Sequence, residues 1–458
     1  MSGLWTSDDL RAATGGRTSA EFAATGVAID TRGLVPGDLF IALHGERRDG
    51  HDFVAEALAR GAAGAMVDRV PDGFPTDAPL VLVPDTLAAL AALGAYARAR
   101  TRARVIAVTG SVGKTTTKEM LRIMLAAQAR VHAAEASFNN QIGVPLTLAR
   151  LPLDAAAAVI EIGMNHPGEI APLARLARPH VAVITAIAPA HIGQMGSLEA
   201  IADEKAAILS GVVPNGAAVL PGDSPLLPRL AAGLPMGLRV LRFGTAKEAE
   251  ARLVSCIEDP AGSQVVATIG GLEFSFRLAA PGRHMAMNAL AALAAVAAAG
   301  FDPAAAAASL AEFAALAGRG AARRIALPGG EMLLFDESYN ASPASVRAAL
   351  AVLGLQPAPR RIAVLGDMRE LGAFGEAAHA GLAEDVLAAA DLVFTCGELM
   401  RHLYDALPAG RRGAHAPDAA ALAPLVAAAI APGDAVLVKG SYASAMRTVV
   451  TALGREAG

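Results

Sequence analysis

The sequence predicts an α/β fold of three domains: a small N-terminal α/β domain, a central domain built on a parallel sheet, and a C-terminal Rossmann-like domain. Short apolar runs alternate with helical stretches along most of the chain, which is typical of βαβ units. A glycine-rich turn, TGSVGKTT, joins one of these runs to a helical stretch. The chain has 458 residues, which at about 150 residues per domain is enough for three domains.

The composition excludes several classes of protein. Hydrophobic residues make up 54% of the chain and charged residues 18%, which argues against disorder. The apolar excess is mostly alanine, and no run reaches the ~18 apolar residues that a membrane span needs. The first residues, MSGLWTSDDLRAATGG, carry acids where a signal peptide has a basic and then an apolar run. The net charge of −4 and the scattered arginines offer no basic patch for nucleic acid.

Cysteine usage predicts the compartment. The chain has two cysteines, Cys256 and Cys396, which are too few for a disulfide framework or a zinc site and fit a reducing environment. We therefore expect a cytoplasmic protein with no nucleic-acid partner and no membrane span. We also expect it to be a monomer.

We place the N-terminal domain at residues 1–84. Its apolar runs DLFIAL, AGAMVD and LVLV are broken by Gly, Asp and Pro, which favours a small α/β unit rich in turns. We place the central domain at residues 85–317. It opens with an alanine-rich helix over 86–100 and continues with the buried-type strand RVIAVTG and similar strands at 157–162 and 181–187.

A further helix at 287–299 closes the central domain, and we place the C-terminal domain at residues 318–458. There the apolar runs MLLFD, RIAVLG, DLVFTC and AVLVKG are each followed by a helix-like stretch. This second alternation predicts a Rossmann-like sheet.

The glycine-rich turn is the sharpest motif in the chain. It directly follows the strand RVIAV and directly precedes a helix, so its backbone N–H groups can close around phosphate oxygens at a positive helix end. The full pattern G-x-x-x-x-G-K-[ST] is not met, because Val108 stands at its first glycine position. An ordinary glycine-rich turn is the alternative, and the strand and helix context favours a nucleotide site. The candidate contacts are Gly110, Ser111, Val112, Gly113, Lys114, Thr115 and Thr116.

Glu161 interrupts the apolar strand that follows in AAAAVIEIGMNHPGEI. A buried carboxylate without a partner is costly, so this one needs a cation. Mg²⁺ suits the position because it prefers oxygen ligands and usually binds one or two carboxylates together with phosphates. An arginine partner at the strand end is the alternative.

Two basic residues follow the next strand, in AHIGQMGSLEAIADEK. His191 lies in a loop at the expected carboxyl edge of the sheet, where ligands collect, although a lone histidine is often structural. Lys205 shares one helix face with apolar residues four positions before it and three and four after it. Burial would lower its pKa and free the amine for carbamylation by CO₂. The alternative is a lysine that reaches solvent and pairs with Asp203 or another acid.

These motifs together resemble a known family. TGSVGKTT, EIGMNHPGEI and AHIGQMGSLEAIADEK are similar to the ATP-dependent Mur ligases of peptidoglycan synthesis, and the match runs the length of the chain. DTRGLVPGDLFIALHGERRDGHDF, SFNNQIGVPLTLARL, DESYNASP, VLGDMRELG and LVKGS resemble in particular the members that act on a UDP-N-acetylmuramoyl tripeptide and D-alanyl-D-alanine. The DNPR motif that is typical of tripeptide-forming members is absent.

The resemblance implies roles for the central residues. Lys114 and Thr115 would hold the triphosphate of ATP and a first Mg²⁺, with Glu161 as a metal ligand. His191 and a carbamylated Lys205 would hold a second Mg²⁺ beside the substrate carboxylate. The central domain is thus expected to be a P-loop ATPase domain whose catalytic residues are Lys114, Glu161, His191 and Lys205.

The resemblance also implies three sets of substrate contacts. A UDP-sugar and peptide set comprises Asp30, Thr31, Arg32, Gly45, Asn139, Asn140 and Gln141. A nucleotide set adds Asn288 for the adenine, and Arg319, Asp336, Tyr339 and Asn340 from the C-terminal domain. Lys439 and Ser441 would face the incoming dipeptide. Taken alone, NNQIG is better explained as a turn, and DESYNASP as a turn with a Ser342 helix cap. The run DGHDF, which also resembles part of the UDP-sugar pocket, could be an acidic surface loop with a structural His51.

The implied reaction is formation of an amide bond. The tripeptide carboxylate would attack the γ-phosphate of ATP, and the amine of D-alanyl-D-alanine would then displace phosphate from the acyl phosphate. Met285 and Tyr442 depart from the family pattern, where Asn and Arg are usual. Another ligase of the superfamily, either tripeptide-forming or similar to folylpolyglutamate synthase, is the nearest alternative, and a P-loop protein that uses ATP only as a switch is an alternative of another class.

Overall fold

The computed structural model describes residues 3–75, 77–134 and 136–455, and it confirms the α/β fold class. The N-terminal part holds a five-stranded sheet in the order β2-β7-β6-β5-β4, in which only the β2–β7 pair is antiparallel. Strands β1 and β3 form a separate antiparallel pair. The elements are β1 Trp5–Thr6, α1 Ser7–Thr14, β2 Arg17–Thr18, β3 Ala23–Ala24, β4 Gly26–Ala28, β5 Asp38–Ile41, α2 Val54–Ala59, β6 Gly64–Val67, β7 Leu80–Leu82 and α3 Thr86–Arg100.

Helix α3 joins the N-terminal part to the central one. It begins where the Asp85 carboxylate accepts hydrogen bonds from the N–H groups of the first turn, a stabilising N-cap. The buried indole of Trp5 packs at its far end, under the guanidinium of Arg100 at 4.1 Å. The indole N–H donates to the carbonyl of Ala149 at 2.9 Å. This junction is therefore held by both apolar packing and a buried hydrogen bond.

The central part is one nine-stranded sheet in the order β16-β15-β14-β13-β12-β11-β8-β10-β9. Its strands are parallel from β9 to β14. The elements are β8 Arg104–Thr109, α4 Lys114–Ala126, β9 Val131–Ala133, α5 Gly143–Ala149, β10 Ala157–Glu161, α6 Ile170–Ala177, β11 Val181–Ile184, α7 Ile192–Met195, α8 Leu198–Ala206, β12 Ala217–Pro221, α9 Leu227–Ala231, β13 Arg239–Gly244, β14 Ala251–Asp259, β15 Gly262–Ile269, β16 Leu272–Leu278, α10 Arg283–Ala298 and α11 Pro303–Ser309.

Strands β14 to β16 form an antiparallel extension that the sequence interpretation did not include. Their residues alternate between buried and exposed positions, unlike the continuous apolar runs of β8 and β10. Gly270 and Gly271 connect β15 to β16 with φ of +57° and +85°, which suits a two-residue hairpin turn. The sequence does indicate this hairpin, through a glycine pair between two segments in which apolar and polar residues alternate. That pattern predicts a strand less strongly than a continuous apolar run does.

The C-terminal part is a six-stranded sheet in the order β17-β18-β22-β19-β20-β21, antiparallel only between β17 and β18. The ends of β18, β22 and β19 meet at one edge because these strands are parallel neighbours. The elements are β17 Ala321–Leu327, β18 Gly330–Glu337, α12 Pro343–Gly354, β19 Arg361–Gly366, α13 Gly375–Ala380, α14 Ala383–Ala389, β20 Leu392–Cys396, α15 Met400–Ala406, β21 Arg412–Ala416, α16 Ala419–Ala427, β22 Ala435–Lys439 and α17 Arg447–Arg455.

The three large sheets thus lie in separate stretches of the chain, and the domain boundaries at residues 84 and 317 stay a prediction. Among the described residues, no helix combines the length and the apolar character that crossing a bilayer requires.

Candidate active site

The glycine-rich turn lies between the end of β8 and the start of α4, as predicted. Gly110 and Gly113 have φ of +148° and +85°, which favours glycine at both positions. A Cβ at Gly110 would lie 2.0 Å from Thr185 Oγ1, and a Cβ at Gly113 would lie 2.4 Å from Asn288 Oδ1. The close approach brings the amide of Asn288 against the turn, where the sequence interpretation expected a nucleotide contact.

The remaining residues of the turn are fixed by β11 and the loop after it. Ser111 donates its hydroxyl to the carbonyl of Ala188 at 2.9 Å, and its own N–H donates to the carbonyl of Ala186. Thr185 donates to the carbonyl of Val112 at 2.6 Å. Thr116 lies in the first turn of α4. Thr185 holds the turn in shape; it lies within the strand predicted at 181–187 and was not predicted as a site residue.

Lys114 folds back onto the turn, where its Nζ donates to the carbonyl of Gly110 at 2.8 Å. Desolvation lowers the pKa of its ammonium group; the nearby carboxylate of Glu161 opposes this shift and the guanidinium of Arg319 adds to it. Among the described residues the Nζ of Lys114 has a backbone carbonyl and no acid as its hydrogen-bond partner, so an anion at the turn would meet little competition for it.

Glu161 ends β10 and is 1% exposed. Its carboxylate accepts a hydrogen bond from Thr115 Oγ1 at 2.9 Å and another from Asn139 Nδ2 at 2.8 Å. Among the described residues, no arginine or lysine lies within ion-pair distance of Glu161. The alternative in which an arginine pairs with Glu161 is therefore wrong. A buried carboxylate beside a threonine hydroxyl supplies the oxygen ligands that Mg²⁺ prefers, and the residues fit that ion.

The C-terminal part reaches this cluster through Arg319. Its Nη2 donates to Ser137 Oγ at 3.1 Å, and Ser137 Oγ lies 3.2 Å from Thr115 Oγ1. The guanidinium also stacks on the ring of Tyr339 at 4.1 Å, a favourable cation–π geometry. Ser137 opens the motif SFNN but was not singled out from the sequence, because only the fold places it between Thr115 and Arg319.

Lys205 is 1% exposed on α8, so its inward orientation is confirmed. The alternative that pairs it with Asp203 is wrong, because Asp203 forms its ion pair with Arg229 at 2.5 Å. The pKa of Lys205 lies well below its usual value; burial is the main cause and the positive charge of Lys114 adds to it, against the smaller opposing effect of Glu204. A lowered pKa favours the neutral amine over the ammonium form.

His191 precedes α7 with φ of +62°, and its Nδ1 lies 2.7 Å from Glu370 Oε2 of the C-terminal part. The nearby imidazole of His191 lowers the pKa of the Glu370 carboxyl and outweighs the opposing effect of burial. His191 therefore does have a partner, one that no local pattern in the sequence could reveal.

The residues expected to face the dipeptide are engaged within the C-terminal part. Lys439 is 2% exposed and donates to Glu337 Oε2 and to the carbonyl of Asn340, both at 3.1 Å. Ser441 Oγ accepts the N–H of Arg369 at 2.8 Å.

Asp336 and Asn340 shape the turn after β18. The Asp336 carboxylate accepts the N–H and the hydroxyl of Ser338, and Asn340 Oδ1 accepts the N–H of Ala341. Ser342 caps α12, so DESYNASP does contain the turn and cap. The structure does not bring Asp336 or Asn340 into hydrogen-bond contact with the phosphate loop among the described residues.

The residues expected to bind the UDP-sugar lie in the N-terminal part. Asp30 pairs with Arg32 at 2.5 Å, and this hydrogen bond lowers the pKa of Asp30 to about 2. Thr31 is buried beside them, and the Gly45 N–H donates to the carbonyl of Arg48. His51 is buried between two aspartates, with Nδ1 2.7 Å from Asp49 Oδ1 and Nε2 accepting the N–H of Asp68, which fits the structural alternative for that histidine.

The residues of the loop NNQIG have two different roles. Asn139 contacts Glu161, as described above, whereas Asn140 Oδ1 accepts the N–H groups of Ile142 and Gly143 at the start of α5. Gln141 is exposed. Asn140 therefore shapes the turn, and only Asn139 joins the metal-binding candidates.

Comparisons with known proteins agree with this geometry. Residues 23–98 match the model "Mur ligase family, catalytic domain", residues 108–296 the Mur ligase middle domain, and residues 323–442 the "Mur ligase, glutamate ligase domain". The chain is 38% identical over 447 residues to the UDP-N-acetylmuramoyl-tripeptide--D-alanyl-D-alanine ligase of Escherichia coli (strain K12), covering 95% of this chain and 94% of that one.

Solved structures give the same result. The chain is similar to MurF from Acinetobacter baumannii, with a TM-score of 0.85 at 30% identity and 98% coverage of both chains. It is also similar to the MurF ligase from Thermotoga maritima in complex with ADP, with a TM-score of 0.78 at 27% identity, covering 94% of this chain and 97% of that one.

The fold and the site, with these matches, define an ATP-dependent ligase whose phosphate loop is faced by a Rossmann-like unit. The chain belongs to the Mur ligase family.

Proposed function

We propose that this protein joins D-alanyl-D-alanine to a UDP-N-acetylmuramoyl tripeptide, with ATP converting the tripeptide carboxylate to an acyl phosphate. The observation that carries the proposal is the buried pair of Thr115 and Glu161 behind a phosphate loop whose neighbour Ser137 is held by Arg319 from the C-terminal part. The names of the 30–38% identical relatives supply the substrate class.

Each residue has a task that follows from its position. Lys114 would leave the carbonyl of Gly110 for the phosphates, and Arg319 would face the nucleotide from the other side, stacked on Tyr339. Thr115 and Glu161 would hold one Mg²⁺, and His191 with a carbamylated Lys205 a second. The ions would neutralise charge between two anionic reactants, the carboxylate and the triphosphate.

Dipeptide recognition falls to the C-terminal part in this proposal. The hydrogen bond to Glu337 fixes the side-chain conformation of Lys439. Binding of the dipeptide carboxylate would therefore cost little side-chain entropy. Asp30, Thr31, Arg32 and Gly45 would bind the UDP-sugar at the opposite end of the chain. Because both cysteines are free, we place the reaction in the reducing cytoplasm.

Phosphate release from ATP tests the function directly. With UDP-N-acetylmuramoyl tripeptide present, release should depend on added D-alanyl-D-alanine and should yield a pentapeptide product by mass spectrometry. Release that ignores the dipeptide would favour a P-loop switch protein, and release driven by a free amino acid instead would favour another ligase of the superfamily.

Lys114→Ala should lower kcat by about a thousandfold, because it removes a charge that stabilises the transferring phosphoryl group. Arg122→Ala is the matched control, since Arg122 lies on the same helix and its side chain is 44% exposed. A folded Lys114→Ala protein with near-normal kcat would contradict the assignment of the phosphate loop.

Glu161→Gln should raise the Mg²⁺ concentration needed for half-maximal rate at least tenfold, because the amide keeps the shape but loses the charge. Titrating Mg²⁺ at saturating ATP measures it. An unchanged Mg²⁺ dependence would remove Glu161 from the metal ligands and leave it as a hydrogen-bond partner of Thr115 and Asn139.

A further inference from the structure

The motif VLGDMRELG runs from β19 into the loop before α13, and the proposed function assigns no role to its residues. Its loop touches the loop of His191 through the backbone, because the Gly193 N–H donates to the carbonyl of Glu370 at 3.0 Å. A Cβ at Gly193 would lie 2.9 Å from the nitrogen of Gly372, and a Cβ at Gly372 would lie 3.0 Å from the Cα of Gly193. The two loops can approach this closely only because both positions are glycine.

The side chains meet at the same place. Glu370 Oε2 lies 2.7 Å from His191 Nδ1, while the side chain of Glu370 is 42% exposed and that of His191 only 15%. Both residues have left-handed backbone conformations, with φ of +67° and +62°. Non-glycine residues keep this conformation when surrounding contacts over-determine it, and such residues cluster at functional sites.

The two ring nitrogens of a histidine are chemically distinct. A carboxylate at Nδ1 favours the tautomer with the proton on Nδ1, which leaves the lone pair of Nε2 free for a metal. Metal-binding histidines regularly donate their other N–H to a carboxylate that fixes the ring and raises its basicity. Glu370 Oε2 lies 2.7 Å from His191 Nδ1, the separation that this arrangement requires, although among the described residues Nδ1 has no hydrogen bond of regular geometry. The two residues follow strands of different sheets.

We propose that Glu370 is a positioning residue that fixes the tautomer and orientation of His191, so that Nε2 is presented to the second metal ion. The inference rests on the proposed function for the identity of His191 as a ligand. Since Glu370 belongs to the C-terminal part, the metal position beside Lys205 is complete only when that part is seated against the central sheet. Seating of the C-terminal loop and metal affinity are therefore linked.

The first test is the tautomer of His191, which needs neither substrate nor activity. In protein labelled with ¹⁵N-histidine, the ring signals of His191, assigned by their loss in His191→Gln, should show a proton on Nδ1. Glu370→Ala should shift the population toward the Nε2–H form, whereas Glu370→Gln should keep the native tautomer because its amide oxygen can accept a hydrogen bond from Nδ1. Glu376→Gln is the matched control, since the Glu376 side chain is 75% exposed on the neighbouring helix.

The second test is metal binding with Mn²⁺ as the probe. With a non-hydrolysable ATP analogue bound, Glu370→Ala should weaken one of two Mn²⁺ sites about 10- to 100-fold, the range found for partners of metal-binding histidines. Glu370→Gln should recover most of that affinity. An unchanged tautomer and unchanged Mn²⁺ binding in Glu370→Ala would overturn the proposal, as would equal effects in Glu376→Gln. If phosphate release by the native protein ignored the dipeptide, the proposed function would fail while the tautomer result still decided the role of Glu370.

Discussion

Two buried lysines in different regions of the molecule have opposite surroundings. Lys439 at the end of β22 has an acid, Glu337, and a backbone carbonyl within 3.1 Å. Lys205 on α8 is as deeply buried, yet no acid among the described residues pairs with it. The carboxylate of the neighbouring Glu204 accepts hydrogen bonds from the N–H groups of Gly168 and Ile170 instead. The two buried lysines thus differ in their partners: Lys439 has an acid within ion-pair distance, whereas burial without such a partner lowers the pKa of Lys205.

The largest expected effect separates the two lysines by reactivity. Lys205→Ala should reduce kcat by about a thousandfold or more, because it removes the anionic metal ligand that the carbamate would provide. Acetate or formate should restore part of the activity by occupying the vacated position, and neither should rescue Lys439→Ala.

A direct readout sharpens this first prediction. With ¹³C-bicarbonate, the native protein should show a carbamate carbon signal that is lost in Lys205→Ala and kept in Lys439→Ala. An unmodified Lys205 amine in a well-resolved crystal structure with ATP bound would contradict carbamylation.

The second prediction concerns stability. Lys439→Met should lower the free energy of unfolding by about 2–3 kcal/mol, because it leaves the largely buried Glu337 without its cation. In bicarbonate-free buffer, where the Lys205 amine is unmodified, Lys205→Met should be neutral or stabilising, since it replaces an unpaired buried amine with an apolar chain of similar length. Urea unfolding measures both.

The double variant Glu337→Gln with Lys439→Met is the control for that comparison. It should recover most of the lost stability, because no unpaired charge remains. A Lys205→Met protein that is destabilised as much as Lys439→Met would break the distinction between the two lysines.

The smallest effect extends the comparison to a third basic residue, His180, which like Lys205 has no acidic partner among the described residues. Burial and the nearby charges of Arg98, Arg104 and Arg178 lower the pKa of His180 to about 4, and its Nδ1 accepts the N–H of Val105. A lowered histidine pKa favours the neutral form in the folded state. The resulting stability is therefore present above the unfolded pKa of about 6.5 and is lost as the pH falls toward 4.

His180→Asn should flatten this pH dependence, because the amide oxygen can take the same hydrogen bond without titrating. The expected difference between pH 6.5 and pH 5 is about 1–2 kcal/mol, since the group is only partly buried. Thermal unfolding across this range, with the exposed His166→Asn as control, measures it. Parallel curves for the native protein and His180→Asn would show that His180 titrates normally.

Periodicity and motif order were enough to predict the parallel strands, helix α3 and the inward orientation of Lys205, because each depends on local spacing. Strands β14 to β16 were not predicted, because half-exposed strands have a weaker hydrophobic pattern than fully buried ones. Partners such as Glu370 for His191, or Arg319 for Ser137, lie more than 170 positions apart in the chain, and no single sequence encodes such contacts as a pattern.

Met285 and Tyr442, the two residues that depart from the family pattern, differ in their surroundings. Met285 lines a cavity of about 300 Å³ between α10 and the C-terminal sheet whose wall is mostly apolar, and a thioether packs there without needing a hydrogen bond. Tyr442 is 78% exposed, with its ring 6.1 Å from that of Tyr339. Neither position contributes a hydrogen bond to the cluster around Glu161 among the described residues.

Trp5 is the one tryptophan of the chain, and its place has a consequence for fluorescence experiments. Its indole is held by Arg100 and the carbonyl of Ala149, at the joint between the N-terminal and central parts. Its emission should therefore report on that joint and stay nearly constant when the C-terminal part moves. Following the approach of the C-terminal part to the nucleotide calls for a second emitter, and Tyr442→Trp, exposed and beside Tyr339, is the position we would choose.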